Sequence, residues 1–416
     1  MKLSRRQLLK AAMATGGAAA GARALGPLGQ ALAAPEPAHF VHIFFNGGLN
    51  ALFAGNADKF LTSGTFGVSN ANIKQVGSGV FTDATTFGTF PQLALDHWAA
   101  IGVRHGNALH TTPQNLNSGG ERAMIMDGAD CFLNQLAFHM GGDSAFKAVY
   151  FGDRAPAYRE QKAFNGVPLQ RVSDLSDAIK ALGAQAPDAD APSREHSAAA
   201  LEAAQAMSAR QIRTNPGALA AFGDAITSAV GALRKPLPPP VTFAEIDAAY
   251  GLGQKTAVDS FASMLAGAEI MIRAAGTNVV NITDFGLASW DFHQTSGGAS
   301  SNGTFSRQKF LGTGGFRGNR IAPIKTFLER MLALQDRNVV VCVSGELVRL
   351  PSGDHGNGTV AALFGKYVKQ GVSFPVSTGA AFSASTPGPK AFWAAVAAAC
   401  KVPGQPFGAN PHPLIV

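Results

Sequence analysis

Residues 338–356 read Asn-Val-Val-Val-Cys-Val-Ser-Gly-Glu-Leu-Val-Arg-Leu-Pro-Ser-Gly-Asp-His-Gly, and this stretch decides the fold. Asn338–Val343 is a strongly β-branched run with no polar alternation. Such a run reads as a strand covered on both faces, the kind found in parallel sheets between helices. It then breaks into Ser344, Gly345 and Glu346. Working outward, the same grammar recurs. His39–Phe45 (His-Phe-Val-His-Ile-Phe-Phe) stops at Asn46-Gly47-Gly48, and Trp98–Arg104 ends in polar and glycine residues. Phe146–Phe151 reads as a further strand, and Asn278–Ile282 as another that leads into Asp284. Ala257–Ala274 and Ile321–Leu334 carry helical patterning between them. Helices alternating with isolated apolar strands predict an α/β fold: three layers, with a mainly parallel central sheet between helices.

The rest of the chain is organised around that frame. Residues 55–90, rich in Gly, Ser, Thr and Phe, show no helical period and read as loops over the site side of the sheet. From 184 to 195 the composition shifts to Ala, Pro, Asp and Ser, which marks a surface loop. Ser197–Leu233 has helical patterning broken near Pro216, and Pro236–Pro240 is a stiff connection that cannot be helix interior. One α/β domain over 34–416, with a helical insertion at about 184–240, is the expected organisation. Nothing repeats at a fixed period.

The first residues belong to a different category. Ser4-Arg5-Arg6-Gln7-Leu8-Leu9-Lys10 resembles the twin-arginine export signal. The Ala/Gly-rich stretch that follows, to about Ala33, is only mildly apolar and is interrupted by Arg23. A permanent span needs roughly 20 strongly apolar residues, so no stable membrane span is expected. Ala31 and Ala33 suit small-x-small cleavage. Residues 1–33 are therefore read as a signal peptide, the twin-arginine translocase as a partner during export, and the mature protein as periplasmic or secreted. The whole chain is formally +7, but the signal holds Lys2, Arg5, Arg6, Lys10 and Arg23 and no acidic residue. The remainder is close to neutral, which removes the electrostatic case for nucleic-acid binding. Cys131, Cys342 and Cys400 are far apart and form no CxxC pair, which argues against a thiolate zinc site. They read as buried free thiols, with a single disulfide as the alternative.

Ligand sites in such sheets lie beyond the carboxyl ends of the strands. After the first strand come Asn46, Gly47, Gly48 and Asn50. After the second come Arg104, His105 and His110-Thr111-Thr112. Asn278–Ile282 is followed by Asp284 and then Trp290-Asp291-Phe292-His293, and Asn338–Val343 by Ser344, Glu346, Arg349 and Asp354-His355-Gly356. Carboxylate and imidazole donors thus collect at one edge, the composition of a hydrolytic metal site for zinc, manganese or a similar divalent ion. The bland readings are a solvated turn for Asp354-His355, a capping Asp at 291, and packing for Trp290. His39 and His42 lie within the first strand and read as core or edge residues.

The order of these segments resembles a family of twin-arginine-exported bacterial proteins catalogued as domain of unknown function 1501, related to the alkaline phosphatase and sulfatase superfamily. Members carry a helix, a strand and Gly-Trp-Asp-Thr-His; here stand Leu265–Ala275, Asn278–Ile282 and Ser289-Trp290-Asp291-Phe292-His293. Members then carry an apolar strand, Ser-Glu-Phe-Gly-Arg and Asp-His-Gly. Val339–Val343, Ser344-Gly345-Glu346-Leu347-Val348-Arg349 and Asp354-His355-Gly356 are similar. The family's opening Arg-Gly-Gly-x-Asp-Gly-Leu is similar to Asn46-Gly47-Gly48-Leu49-Asn50-Ala51-Leu52.

The resemblance implies an alkaline-phosphatase-like fold and a two-metal site that hydrolyses phosphate or sulfate esters. One metal would be held by Asp291 and His293, the other by Asp354, His355 and the first-strand position, here Asn50. A Ser or Thr at a helix start would be the nucleophile: Ser118 before Gly119-Gly120 is the candidate, then Thr111 and Thr112. Arg349 would hold a small anionic ester or pair with Glu346, and His412 would supply a third imidazole. The chain departs from the pattern at Asn50, where a neutral carbonyl replaces a carboxylate, and at Asn46, where a bidentate anion contact is lost. Two functions follow from this balance. One is an exported metal-dependent hydrolase; the other is a catalytically degenerate relative acting in periplasmic binding or envelope assembly.

Overall fold

A computed structural model describes residues 36–56, 72–77, 79–110, 119–142, 144, 146–152, 163–183, 195–200, 202–203, 206, 241–284, 289–292, 300–349, 355–376 and 382–416. Residues 1–33, read above as a signal, and most of the expected 184–240 insertion lie outside these residues. Eight strands form the main sheet: β1 (Ala38–Phe45), β2 (Trp98–Arg104), β3 (Ala148–Gly152), β4 (Leu169–Arg171), β5 (Val279–Thr283), β6 (Asn338–Gly345), β7 (Gly358–Phe364) and β8 (Gly371–Ser373). Their order across the sheet is β8-β2-β7-β6-β1-β5-β3-β4. Every pairing is parallel except those of β7, which runs antiparallel to both β6 and β2. The chain is thus α/β with a large, mostly parallel sheet, and Pro37–Val416 form one compact unit.

Strands β1 and β6 are buried almost throughout because both of their faces are covered. On one face Val41, Ile43, Phe45, Val280, Ile282, Val339, Val341 and Val343 join a core. That core is closed by helices at Phe261–Arg273 and Ile321–Leu332. On the other face Phe40, Val279, Val340 and Cys342 pack with helices at Phe132–Met140 and Pro389–Ala399. Successive strand residues point to opposite faces, so each strand divides its side chains between the two cores. The Phe261–Arg273 helix begins where it does because Ser260 and Ser263 form a reciprocal capping box. Within this helix, Glu269 is fully buried and bonds Tyr250, Arg273 and Arg330, which pins the neighbouring helix Phe243–Tyr250. A carboxylate withdrawn from water needs such partners to persist.

The five strands read from sequence all form. Three more, β4, β7 and β8, lack a distinctive pattern. β7 is antiparallel because the chain stays at the carboxyl edge after β6. There Val348–Arg349 pairs with Leu49–Asn50, and Arg349 bridges His355. Since Arg349 and His355 both lie at that edge, the strand that starts at Gly358 runs back. The 55–90 segment, expected to be loop, contains an antiparallel hairpin of Ile73–Val76 with Val80–Asp83. Its four-residue strands fall below what a period-2 pattern can announce. The three cysteines are buried and free, and burial pushes the Cys131 thiol up to about 12. Among the described residues no helix is long and apolar enough to cross a membrane.

His39 and His42 are core residues. His39 Nδ1 lies 2.7 Å from the Thr277 carbonyl, and His42 Nε2 lies 2.8 Å from Ser344 Oγ. His42 also packs edge-on to Trp393. Burial pushes His39 down to about 4 and His42 down to about 3, so both are neutral in the native state. Unfolding lets each take a proton below about pH 6.5, so the unfolded state binds more protons there and stability is lost as pH decreases below that value. Each contributes a slope of about 1.4 kcal/mol per pH unit between about pH 6 and its native pKa. Denaturant unfolding at pH 7, 6 and 5 should show this loss, and His42→Asn should flatten the slope by close to one proton. An unchanged slope would show that His42 does not carry it.

Candidate metal centre

The site grows from the end of β1. Phe45 is in register with Gly345 of β6, so Asn46-Gly47-Gly48 emerges beside Glu346 and Leu347. Gly47 and Gly48 adopt φ of 107° and 128°, which side chains rarely tolerate. A Cβ on Gly48 would lie 2.8 Å from Arg349 Nε and 2.9 Å from the Leu347 carbonyl oxygen. The glycine turn therefore lets the backbone approach two residues of the site. The Gly47 N–H donates to Glu346 Oε2 at 3.1 Å, and Glu346 is only 1% exposed.

Two other strand ends deliver the remaining groups. Beyond β2, His105 Nε2 meets the Glu346 carbonyl at 3.2 Å, and His110 Nδ1 meets the Glu346 carboxylate at 2.7 Å. Beyond β5, Trp290 donates its indole N–H to Asp284 at 2.8 Å and its backbone N–H to the Asn46 carbonyl at 2.9 Å. Its ring packs on Phe45 and Phe310. This anchoring brings Asp291 against His110 Nε2 at 3.1 Å and His355 Nε2 at 3.4 Å. The Arg349 guanidinium, almost fully buried, donates to Asp291 and to the Gly47 carbonyl. One donor atom from each of His110, Asp291 and His355 falls within a 4.8 Å cluster.

The two imidazoles are oriented for a common purpose. His355 Nδ1 is 2.8 Å from the Ala108 carbonyl, which only accepts, so Nδ1 carries the proton. His110 Nδ1 faces a carboxylate and carries one too. Each ring is left with Nε2 turned toward Asp291. Imidazoles that ligate metals are held in this manner, with the far nitrogen donating to a carboxylate or carbonyl. Two imidazole nitrogens and one carboxylate also form a donor set suited to zinc. The residues therefore fit a divalent ion.

Protons and guanidinium otherwise balance the cluster. Burial pulls His110 down, but hydrogen bonds to Asp291 and Glu346 outweigh it and raise the ring to about 9. Burial likewise favours the neutral form of Asp291. His110, His355 and the Arg349 charge override it and hold the carboxyl well below the usual range. His105 is pushed down to about 4 by burial, against the pull of Glu346, and stays neutral.

Asp291 and His355, assigned to different metals by the resemblance, come together here at one point. His110 joins them; it stands among the donors after β2, but no motif singles it out. Arg349 pairs with Asp291. Asn50 lies beside Arg349 in the short strand pair, where its Oδ1 accepts from the Leu52 N–H at 3.0 Å and closes a turn. Ser118, Thr111, Thr112, His293 and Asp354 lie outside the described residues. The helix expected after Ser118 runs Gly120–Ile125 with Gly119 as its N-cap, and its buried Glu121 accepts from Asn46 Nδ2 at 2.5 Å. His412 stands outside the cluster, its Nδ1 3.0 Å from Ser373 Oγ and its ring edge-on to Phe374.

Gly48→Ala tests the construction, since it combines a positive-φ strain with a clash against two site residues. It should destabilise the fold by about 2 kcal/mol or more in denaturant unfolding. An unchanged midpoint would contradict the close approach. Comparison with family models and with curated proteins gives no match for this chain.

Proposed function

We propose that the chain is an exported metal-dependent hydrolase of phosphate or sulfate esters, built on an alkaline-phosphatase-like frame. One observation carries the reading: His110 and His355 both turn Nε2 toward the Asp291 carboxylate, each ring fixed through Nδ1. The order of the Trp290-Asp291 and Asp354-His355-Gly356 segments along the chain supports the same class. The twin-arginine-like start supports export to the periplasm or beyond.

In this mechanism His110, Asp291 and His355 hold a divalent ion, zinc or manganese. The ion would polarise the ester as a Lewis acid. Glu346 and the Ala108 carbonyl keep the two imidazoles aimed, and Arg349, beside Asp291, would place its positive charge near the anionic ester. Ser118, just before the helix that starts at Gly120, is the proposed nucleophile, with Thr111 and Thr112 next.

Arg349 also favours a second reading. A guanidinium already neutralises the Asp291 carboxylate, as it would in a catalytically degenerate relative that serves periplasmic binding or envelope assembly. Metal content and hydrolysis of 4-nitrophenyl phosphate and sulfate separate the two. The hydrolase should hold at least one ion per chain, and His110→Ala and Asp291→Ala should each lose the ion and lower turnover by about 100-fold or more. Ser118→Ala should lose turnover while keeping the ion. A stoichiometric ion with no hydrolysis of either ester would favour the binding role, and no ion would remove the metal reading.

A further inference from the structure

Lys309 is an unexpected charge in an apolar setting. It lies on the helix Ser300–Leu311 and is only 5% exposed. Withdrawing an ammonium from water costs several kcal/mol unless its hydrogens and charge are used. Here they are used on one short segment. Nζ donates to the Ser289 carbonyl at 2.5 Å, and stands 4.5 Å above the Trp290 ring and 5.7 Å above the Phe292 ring. Those contacts bracket Asp291 in sequence, one side at Ser289 and Trp290 and the other at Phe292. Behind the ammonium, Asp284 Oδ2 lies 4.0 Å away, and the same oxygen receives the Trp290 indole at 2.8 Å and Arg320 Nε at 3.2 Å. The segment is thus clamped between a buried carboxylate at the end of β5 and a buried cation from the helix beside it.

A leucine or methionine would fill this space without the desolvation cost. The ammonium adds two things an apolar residue lacks: a donor for a backbone carbonyl and an attraction to aromatic faces. Both act on the chain that carries the metal-facing carboxylate. We infer that Lys309 is a positioning residue for Asp291, fixing the direction of its carboxylate through Ser289, Trp290 and Phe292. This rests on the reading of His110, Asp291 and His355 as a metal centre. Lys309 itself touches none of those three side chains.

The test is cobalt(II) titration of the full chain, followed by visible absorption of the bound ion, in wild type, Lys309→Met, Lys309→Arg and Asp291→Asn. Circular dichroism and melting temperature establish that each variant is folded; if Lys309→Met is not, Lys309→Gln is scored in its place. Lys309→Met should bind cobalt about tenfold or more weakly and shift the ligand-field band, as losses around metal ligands do. Lys309→Arg keeps a donor and a cation that stacks on Trp290, and should restore the affinity to within about threefold. Asp291→Asn sets the level expected when the carboxylate is lost. Wild-type affinity in Lys309→Met would overturn the positioning role and leave the metal centre standing. Equal impairment in Lys309→Arg and Lys309→Met, with folded protein, would reduce Lys309 to packing and overturn it too. No cobalt binding by wild type would remove the metal centre, and the positioning role with it.

Discussion

The parallel pairing of β1 with β6 is the constraint on which the rest depends. The two strands match residue for residue from Ala38 with Asn338 to Phe45 with Gly345. Both are apolar on both faces, so a slip of one residue would exchange every side chain between the two cores. The buried residues Phe40, Val41, Val340 and Val341 make that slip costly. Because the strands are parallel and level, they end together. The glycine turn of one then meets Glu346 of the other, and the remaining site groups are assembled against that contact.

Around this frame the protein handles buried charge by a repeated device. Carboxylates sit at strand ends or under helices and are closed by cations and N–H groups. Asp83 is fully buried and held by Arg307 Nε at 2.7 Å and by threonine hydroxyls. Glu269 is held by two arginines and a tyrosine. Asp284 is held by Trp290, Arg320 and Lys309. The candidate centre differs in kind. Its carboxylate faces two imidazoles whose outer nitrogens are held by Glu346 and the Ala108 carbonyl, which gathers one ligand atom from each of the three groups within 4.8 Å. Convergence of lone pairs, more than the number of acidic residues, separates a place for an ion from a salt-bridge network.

Arg349 stands between these two behaviours. It is one of the largest fully buried side chains, and its guanidinium joins the Asp291 carboxylate to the Gly47 carbonyl. With its charge in place, the cluster has no uncompensated anion. An ion entering there would share Asp291 with an arginine, which would lower the charge the site offers it and leave a cation beside an anionic ligand. The same side chain would thus weaken the hold on a metal and favour an anion.

The strands that could be read from the sequence are those whose chemistry is uniform. Asn338–Val343 and His39–Phe45 are apolar because both of their faces are buried, and that cause leaves its mark in the order of residues. β7, seven residues reading Gly-Thr-Val-Ala-Ala-Leu-Phe, and the three-residue β8 lack a β-branched run, and their pairing comes from where the chain emerges. Likewise, Asp291 and His355 could be named from their neighbours in sequence, since Trp290-Asp291 and Asp354-His355-Gly356 are local motifs. Their meeting, and the arrival of His110 with Glu346 behind it, could not be named in this way. His110 precedes Asp291 by far more than any local spacing, and it reaches Asp291 only because β2 lies two strands from β6 in the sheet order. Local composition determined which segments are strands and which residues carry donors. The tertiary structure alone decided which donors share a point, because sheet order and register, unlike composition, are properties of the whole chain folded at once.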